Sequence, residues 1–216
     1  MAKADRPPQL SAADAHVSLL SLPHRLGLDP LLKPAGPYLA SDAWPLHSPG
    51  SAPRVGLVWA AGRSQDDPFT MREYKKRSLT THVLAALIQG LHQQGAELIP
   101  LQVGPDHTAV RAWSHCFASP GISQSASFAE NARWIRDLDL LISVDTAAAH
   151  LAGALGHPCW LLLPFSADPR WLRDRSDSPW YPSFRLFRQP TSGQWLPVVD
   201  QVLEAFSPWW HSISGS

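Results

Sequence analysis

The sequence predicts an α/β protein: a doubly wound parallel sheet preceded by a proline-rich N-terminal extension. Three observations carry that expectation. Short apolar runs recur at Arg54–Trp59, Glu97–Gln102, Leu140–Val144 and Pro158–Leu163, with the length and the β-branched and aromatic content of buried strands. Segments with helical spacing and recognisable caps fall between them. Strands alternating with helices in this way build a parallel sheet covered on both faces. The third observation is negative: Pro7, Pro8, Pro23, Pro30, Pro34, Pro37, Pro45 and Pro49 interrupt every long helix or strand before residue 50.

Within the extension, Val17–Leu22 reads as a strand or a helical turn and Pro45–Gly50 as a linker. The compact domain is expected from about residue 51 to 207. Its first strand, Arg54–Trp59, is followed by a polar loop. Leu79, Val83, Leu84, Leu87, Ile88 and Leu91 then recur at helical spacing, with Ser78 or Thr80 as N-cap and Gly95 as terminator. Pro100 weakens the strand at 97–102, and a weaker helix follows over Ala109–His115. Ser127 and Glu130 have the spacing of a capping box, so a helix is expected from there to about Arg136. An alanine-rich helix from Thr146 to Leu155 stops at Gly156, and the strand at 158–163 succeeds it. Phe184–Phe187 is the expected last strand, Pro197–Phe206 the last helix and 208–216 a tail.

Composition narrows the function. Eighteen basic residues balance eighteen acidic ones in 216 residues, so no global field draws the chain to nucleic acid or an anionic membrane. No apolar run approaches the ~20 residues of a membrane span. No signal-peptide pattern opens the chain, and the expectation is a soluble cytoplasmic protein. Cys116 and Cys159 lie far apart without the spacing of a zinc site or a disulfide framework. No metal or cofactor is expected. Nucleophile-elbow, metalloprotease, Walker and dinucleotide glycine motifs are absent from the sequence.

In parallel sheets of this kind ligands sit beyond the carboxyl ends of the strands. That directs attention to the loops after Trp59, Gln102, Val144 and Leu163. The stretch Ser143-Val-Asp-Thr-Ala-Ala-Ala-His-Leu-Ala152 places Asp145 and Thr146 where a strand ends and a helix opens. Free amides and the positive dipole end of a helix bind phosphate, and small residues let a ligand approach. His150 shares a helix face with Thr146. Taken alone, the segment reads equally as Asp145 capping a helix and His150 packed as an ordinary side chain.

Several motifs in order break that tie. Val55-Gly-Leu-Val-Trp-Ala60, Arg77-Ser78, Leu101-Gln-Val-Gly104, Asp139 to Gly156 and Asp177-Ser-Pro-Trp-Tyr-Pro-Ser183 together resemble the lipopolysaccharide heptosyltransferase family. They resemble still more the glycosyltransferase domains attached to tetratricopeptide repeats. The resemblance covers about 54–206. It implies the Rossmann-like C-terminal half of a two-domain glycosyltransferase, with residues 1–50 as remnant of the N-terminal domain and linker. It implies a nucleotide-diphosphate sugar as ligand. The function it implies is a metal-independent inverting transfer, for which the other half supplies the catalytic base; no catalytic residue can be named. Asp145, Thr146 and Ala147 would line the diphosphate or ribose, His150 would support their loop, and Gln102 would lie near the base. Trp59, at the end of the first strand, joins these candidates. Ala147 departs from the glycine usual in heptosyltransferases and counts against a heptose donor, and the loop from Ala60 to Arg77 is longer than the family's.

Lys75-Lys76-Arg77 reads either as a solvated basic face or as a source of charge for a leaving diphosphate; Arg77 is favoured for the second role. The aromatic loop Trp171–Tyr181 is expected to pack, although sugars also stack on such rings. Two further functions stay open: a non-catalytic nucleotide-sugar-binding module, completed by a separate N-terminal half or a tetratricopeptide-repeat protein, and a sugar-nucleotide epimerase, for which no carboxylate pair is evident.

Overall fold

A computed structural model describes residues 25–27, 36–40, 52–63 and 67–214. The chain divides into a short unit, Met1–Lys33, and a main unit, Pro34–Ser216. The expected segment Val17–Leu22 and the linker Pro45–Gly50 lie outside the described residues.

The main unit is a five-stranded, all-parallel sheet in the order β2-β1-β3-β4-β5. The strands are β1 Arg54–Val58, β2 Glu97–Pro100, β3 Leu140–Val144, β4 Cys159–Leu163 and β5 Phe184–Arg188. Every residue of β3 and β4 is buried, as parallel strands covered on both faces must be. Alternation along each strand feeds two cores. Leu57, Ile142, Trp160 and Leu162 pack beneath helix α2 (Thr81–Gln93) and helix α5 (Leu196–Ser214). Ile99, Leu141 and Leu161 pack on the other face, where helix α3 (Phe128–Arg136) and helix α4 (Ala147–Ala154) lie.

Local chemistry sets the ends of these elements. The Ser127–Glu130 capping box opens α3 as expected. Gly95 and Gly156 take positive φ of 83° and 69° just beyond α2 and α4, a conformation that favours glycine. A Cβ on Gly156 would also meet the ring of Pro37 at 2.5 Å, because residues 36–40 are strapped to this end of α4: the amides of Tyr38 and Leu39 both donate to the carbonyl of Ala154. Pro100 sits on β2, which is an edge strand, and so interrupts no inner ladder.

Three expectations need correction. The polar loop after β1 contains a helix, α1 (Pro68–Arg77), opened by Asp67, whose carboxylate accepts from the amide of Phe69, with Pro68 in the first turn. It buries no residue, so it leaves no apolar periodicity to read. The weak helix near Ala109–His115 is a 3-10 segment, Pro105–Cys116, kinked at Trp113. The last helix does not stop at Phe206 but runs through Pro208 to Ser214. Trp209 packs on Trp160 and Phe206, with ring centroids 5.6 and 6.0 Å apart, and Ser207 donates to Gln94 at the C-terminal cap of α2; these contacts hold the helix past the proline. No helix among the described residues is long and apolar enough to cross a membrane.

Candidate functional site

The strand order reverses between β1 and β3, since the chain leaves β1 for β2 on one side and returns to β3 on the other. Such a point leaves a crevice at the carboxyl edge of the sheet. A cleft of about 450 Å³ opens there, lined by Val58 and Ala60 at the end of β1, Leu101 and Gln102 after β2, and Thr146 and Ala147 after β3.

Thr146, not Asp145, is the N-cap of α4, and its side chain caps no amide. Its hydroxyl instead lies 3.0 Å from that of Ser143, which donates to the carbonyl of Val144. Among the described residues no protein acceptor meets the amides of Ala147, Ala148 or Ala149; the first amide bonded within the helix is that of His150, to the Thr146 carbonyl. Ala147 is exposed and lines the open cleft. Ala149 is fully buried, so it is the donors of Ala147 and Ala148, at the positive end of the helix and beside the cleft, that form an anion-receptive corner.

Asp145 is 6% exposed. Its carboxylate lies 3.7 Å from Nε2 of His150, and its backbone carbonyl accepts from Nη1 of Arg77 at 3.0 Å. Arg77 ends α1 and also donates to the carbonyl of Glu73. No carboxylate lies within 4.0 Å of its guanidinium among the described residues. Lys76, by contrast, pairs with Glu73 at 3.0 Å and Lys75 is exposed. Arg77 and Asp145 face a second crevice of about 540 Å³, walled on the far side by Asp168 and Arg173 after β4.

His150 is built into a ring stack. It lies parallel to Trp171 at 5.4 Å, its Nδ1 is 3.0 Å from the hydroxyl of Tyr181, and its Nε2 is 3.4 Å from Nη1 of Arg170. Burial, opposed by the Asp145 carboxylate, lowers its pKa and favours the neutral ring at pH 7. Tyr181 reaches it across Gly153, where a Cβ would stand 2.3 Å from the tyrosine ring. Trp171 is fully buried, so the expected packing of this aromatic loop is observed for its innermost ring. The loop thereby packs against α4 at His150 and Gly153.

Two candidates take other positions. Trp59 points into the core beneath α2 and does not line the cleft, because alternation sends it to the face opposite Val58. Gln102 lines the cleft but is 5% exposed and committed: Oε1 accepts from the amides of Trp59 and Ala60, and Nε2 donates to the carbonyls of Ala60 and Val103. That uses the whole capacity of a carboxamide, so Gln102 ties the ends of β1 and β2 together. Sequence reasoning missed Arg63, Tyr74 and Asp106 at the cleft mouth. The Tyr74 hydroxyl donates to Asp106 at 2.7 Å, Arg63 lies 3.5 Å from the same carboxylate, and its guanidinium covers the Tyr74 ring. Burial, then the bond to Asp106, raises the Tyr74 pKa. Only α1 brings Tyr74 there, so the missed helix hid the cluster.

No family model matches the chain. It is 28% identical over 166 residues to Protein FlbA of Caulobacter vibrioides, covering 72% of this chain and 25% of FlbA. Among solved structures it is similar to the E. coli ADP-heptose LPS heptosyltransferase II, with a TM-score of 0.54 and 15% identity over 94% of this chain and 55% of that one. The chain thus spans a quarter of FlbA and about half of the heptosyltransferase. What the second likeness shows is the fold: the Rossmann-like parallel sheet expected from the sequence is present and is similar to the fold of that structure.

Proposed function

We propose that this chain is the donor-binding part of a glycosyltransferase of the heptosyltransferase-like kind, holding a nucleotide-diphosphate sugar for an inverting transfer without a metal ion. The observation that carries the reading is the N-terminus of α4. Of its three free amides, those of Ala147 and Ala148 belong to residues that line the cleft at the sheet's switch point, and the guanidinium of Arg77, without a carboxylate partner, is hydrogen-bonded to the backbone at that corner. The diphosphate sits on these amides, and the apolar walls given by Val58, Ala60, Leu101 and Leu151 receive the flat nucleoside.

In the transfer, negative charge grows on the β-phosphate oxygen that carried the sugar as its bond to the anomeric carbon breaks. Preorganised amides and a fixed guanidinium stabilise that charge, the role a metal ion plays elsewhere. Thr146 and Ala147 shape the corner, Asp145 positions Arg77 through its carbonyl, and His150 braces the helix. The base that deprotonates the acceptor comes from another domain or polypeptide, a separate N-terminal half being one source and a tetratricopeptide-repeat protein a possible companion.

A binding module without turnover is the second reading. It is favoured by the state of the carboxylates beside the openings: Asp106 is engaged by Tyr74 and Arg63, and Asp168 by Arg170. The test is calorimetric titration of the full chain with ADP-, GDP- and UDP-sugars, in EDTA and with Mg²⁺, with assay of released nucleotide diphosphate. Saturable binding of one donor, equal in EDTA, is expected. No binding of any donor overturns both readings, and release of diphosphate by the chain alone overturns the need for a second half.

A further inference from the structure

A third crevice, of about 840 Å³, opens beyond the carboxyl ends of β4 and β5. It shares Ser166, Ala167, Pro169 and Arg173 with the crevice at Arg77 and Asp145, so the two openings are continuous. Its walls include Phe165, Leu172 and Pro190, and Phe165 is 61% exposed. Three features mark it as built for a ligand and not as a gap between loops.

The first is Arg188. It is half-buried, and its hydrogen bonds go to two backbone carbonyls, those of Arg175 and Trp171. No carboxylate lies within 4.0 Å of it among the described residues, and the same holds for Arg173, which is exposed on the same wall. Asp174, which also lines the crevice, favours the charge of Arg188 from beyond contact distance, so a half-buried guanidinium with no carboxylate in contact is left to receive a second anion. The second feature is Gln189, which is 4% exposed. Its Oε1 accepts from the amides of Phe165 and Gly193, which fixes the orientation of the carboxamide, while Nε2 has no partner. An unused pair of donors in a buried amide is uncommon. The third is the loop that presents Arg173: its neighbours Leu172 and Asp174 have φ of 55° and 53°. Leu172 combines this with ψ of −166°, a region otherwise left to glycine.

We propose that this crevice takes the oxyanion of a second ligand, a carboxylate or phosphate carried on an apolar body, between Arg173, Arg188 and the amide of Gln189. Continuity with the corner at Arg77 makes that ligand the acceptor of the transfer, a step that rests on the function proposed above. Two planar guanidinium groups and a planar amide match the two oxygens of a carboxylate and also serve phosphate. Phe165, Leu172 and Pro190 cover the apolar part.

The test is nuclear magnetic resonance on the full chain, titrated with glucuronate, glucose 6-phosphate and glucose while the Gln189 side-chain amide is observed. A saturable shift is expected with glucuronate or glucose 6-phosphate at an affinity at least tenfold above that of glucose; the tighter of the two identifies the oxyanion. Arg173→Ala is expected to weaken that binding about tenfold, and Arg173→Lys to restore most of it. Equal affinity for glucose, no saturable shift at Gln189, or an Arg173→Ala variant that binds as well as the parent overturns the proposal. A nucleotide diphosphate added to the same samples reports through the amides of Ala147 and Ala148. Their silence, with Gln189 still responding, removes the donor reading and the label of acceptor but leaves the oxyanion site standing.

Discussion

The cleft on the β1 and β2 side of α4 and the crevices on its β4 and β5 side treat polar groups in opposite ways. On the first side the polar side chains Gln102 and Asp106, which line the cleft, are satisfied by the protein. Gln102 makes four backbone hydrogen bonds, and Asp106 is held by Tyr74 and Arg63. On the second side Arg77, Arg173 and Arg188 meet no carboxylate within 4.0 Å among the described residues, and the amide nitrogen of Gln189 has no partner. A finished, mostly apolar wall selects by shape; cations with no carboxylate in contact select by charge. The first suits a flat heterocycle and the second suits oxyanions, with the free amides of α4 standing between them.

The comparison breaks most readily at Gln102. Gln102→Leu strands the buried amides of Trp59 and Ala60, each costing about 1–3 kcal/mol. A loss of about 3 kcal/mol in stability is expected, read as a fall in Tm of roughly 10 °C for a chain of this size. Ala147→Glu attacks the corner itself. A carboxylate in the first turn suits the helix dipole, so Tm should hold, while repulsion should weaken nucleotide-diphosphate binding about 100-fold, equivalent to about 2.7 kcal/mol. Arg77→Ala removes one charge-assisted contact, worth about 1.5–3 kcal/mol, and should weaken the same binding at least roughly tenfold in calorimetry. Lys75→Ala, two residues earlier and exposed, should change affinity by less than about twofold, as surface substitutions do. Equal effects at Arg77 and Lys75 would mean that only general positive charge matters.

The inner strands were legible because parallel strands buried on both faces read as continuous apolar runs, and the capping box at Ser127 because its chemistry is local. Helix α1 was not: it buries nothing, and its only mark was Asp67-Pro68 at its start. With α1 went Tyr74, and with Tyr74 the cluster around Asp106. At the candidate site, Thr146 and Ala147 stand at the cleft and Arg77 reaches the backbone of Asp145. Gln102 and Trp59 show the limit of motif reading, since a position near a site does not reveal whether a side chain faces the ligand or serves the backbone. The unpaired cations of the third crevice carry no local pattern; they emerge only when loops distant in sequence are brought together.

The central claim is that the first amides of α4 receive a diphosphate. It is tested most directly by following backbone amide resonances while ADP, GDP and UDP are added to the full chain. Saturable shifts centred on Ala147, Ala148 and Ala149, abolished by Ala147→Glu, are the expected result. Shifts that leave these three amides unmoved while a nucleotide binds elsewhere would contradict the account.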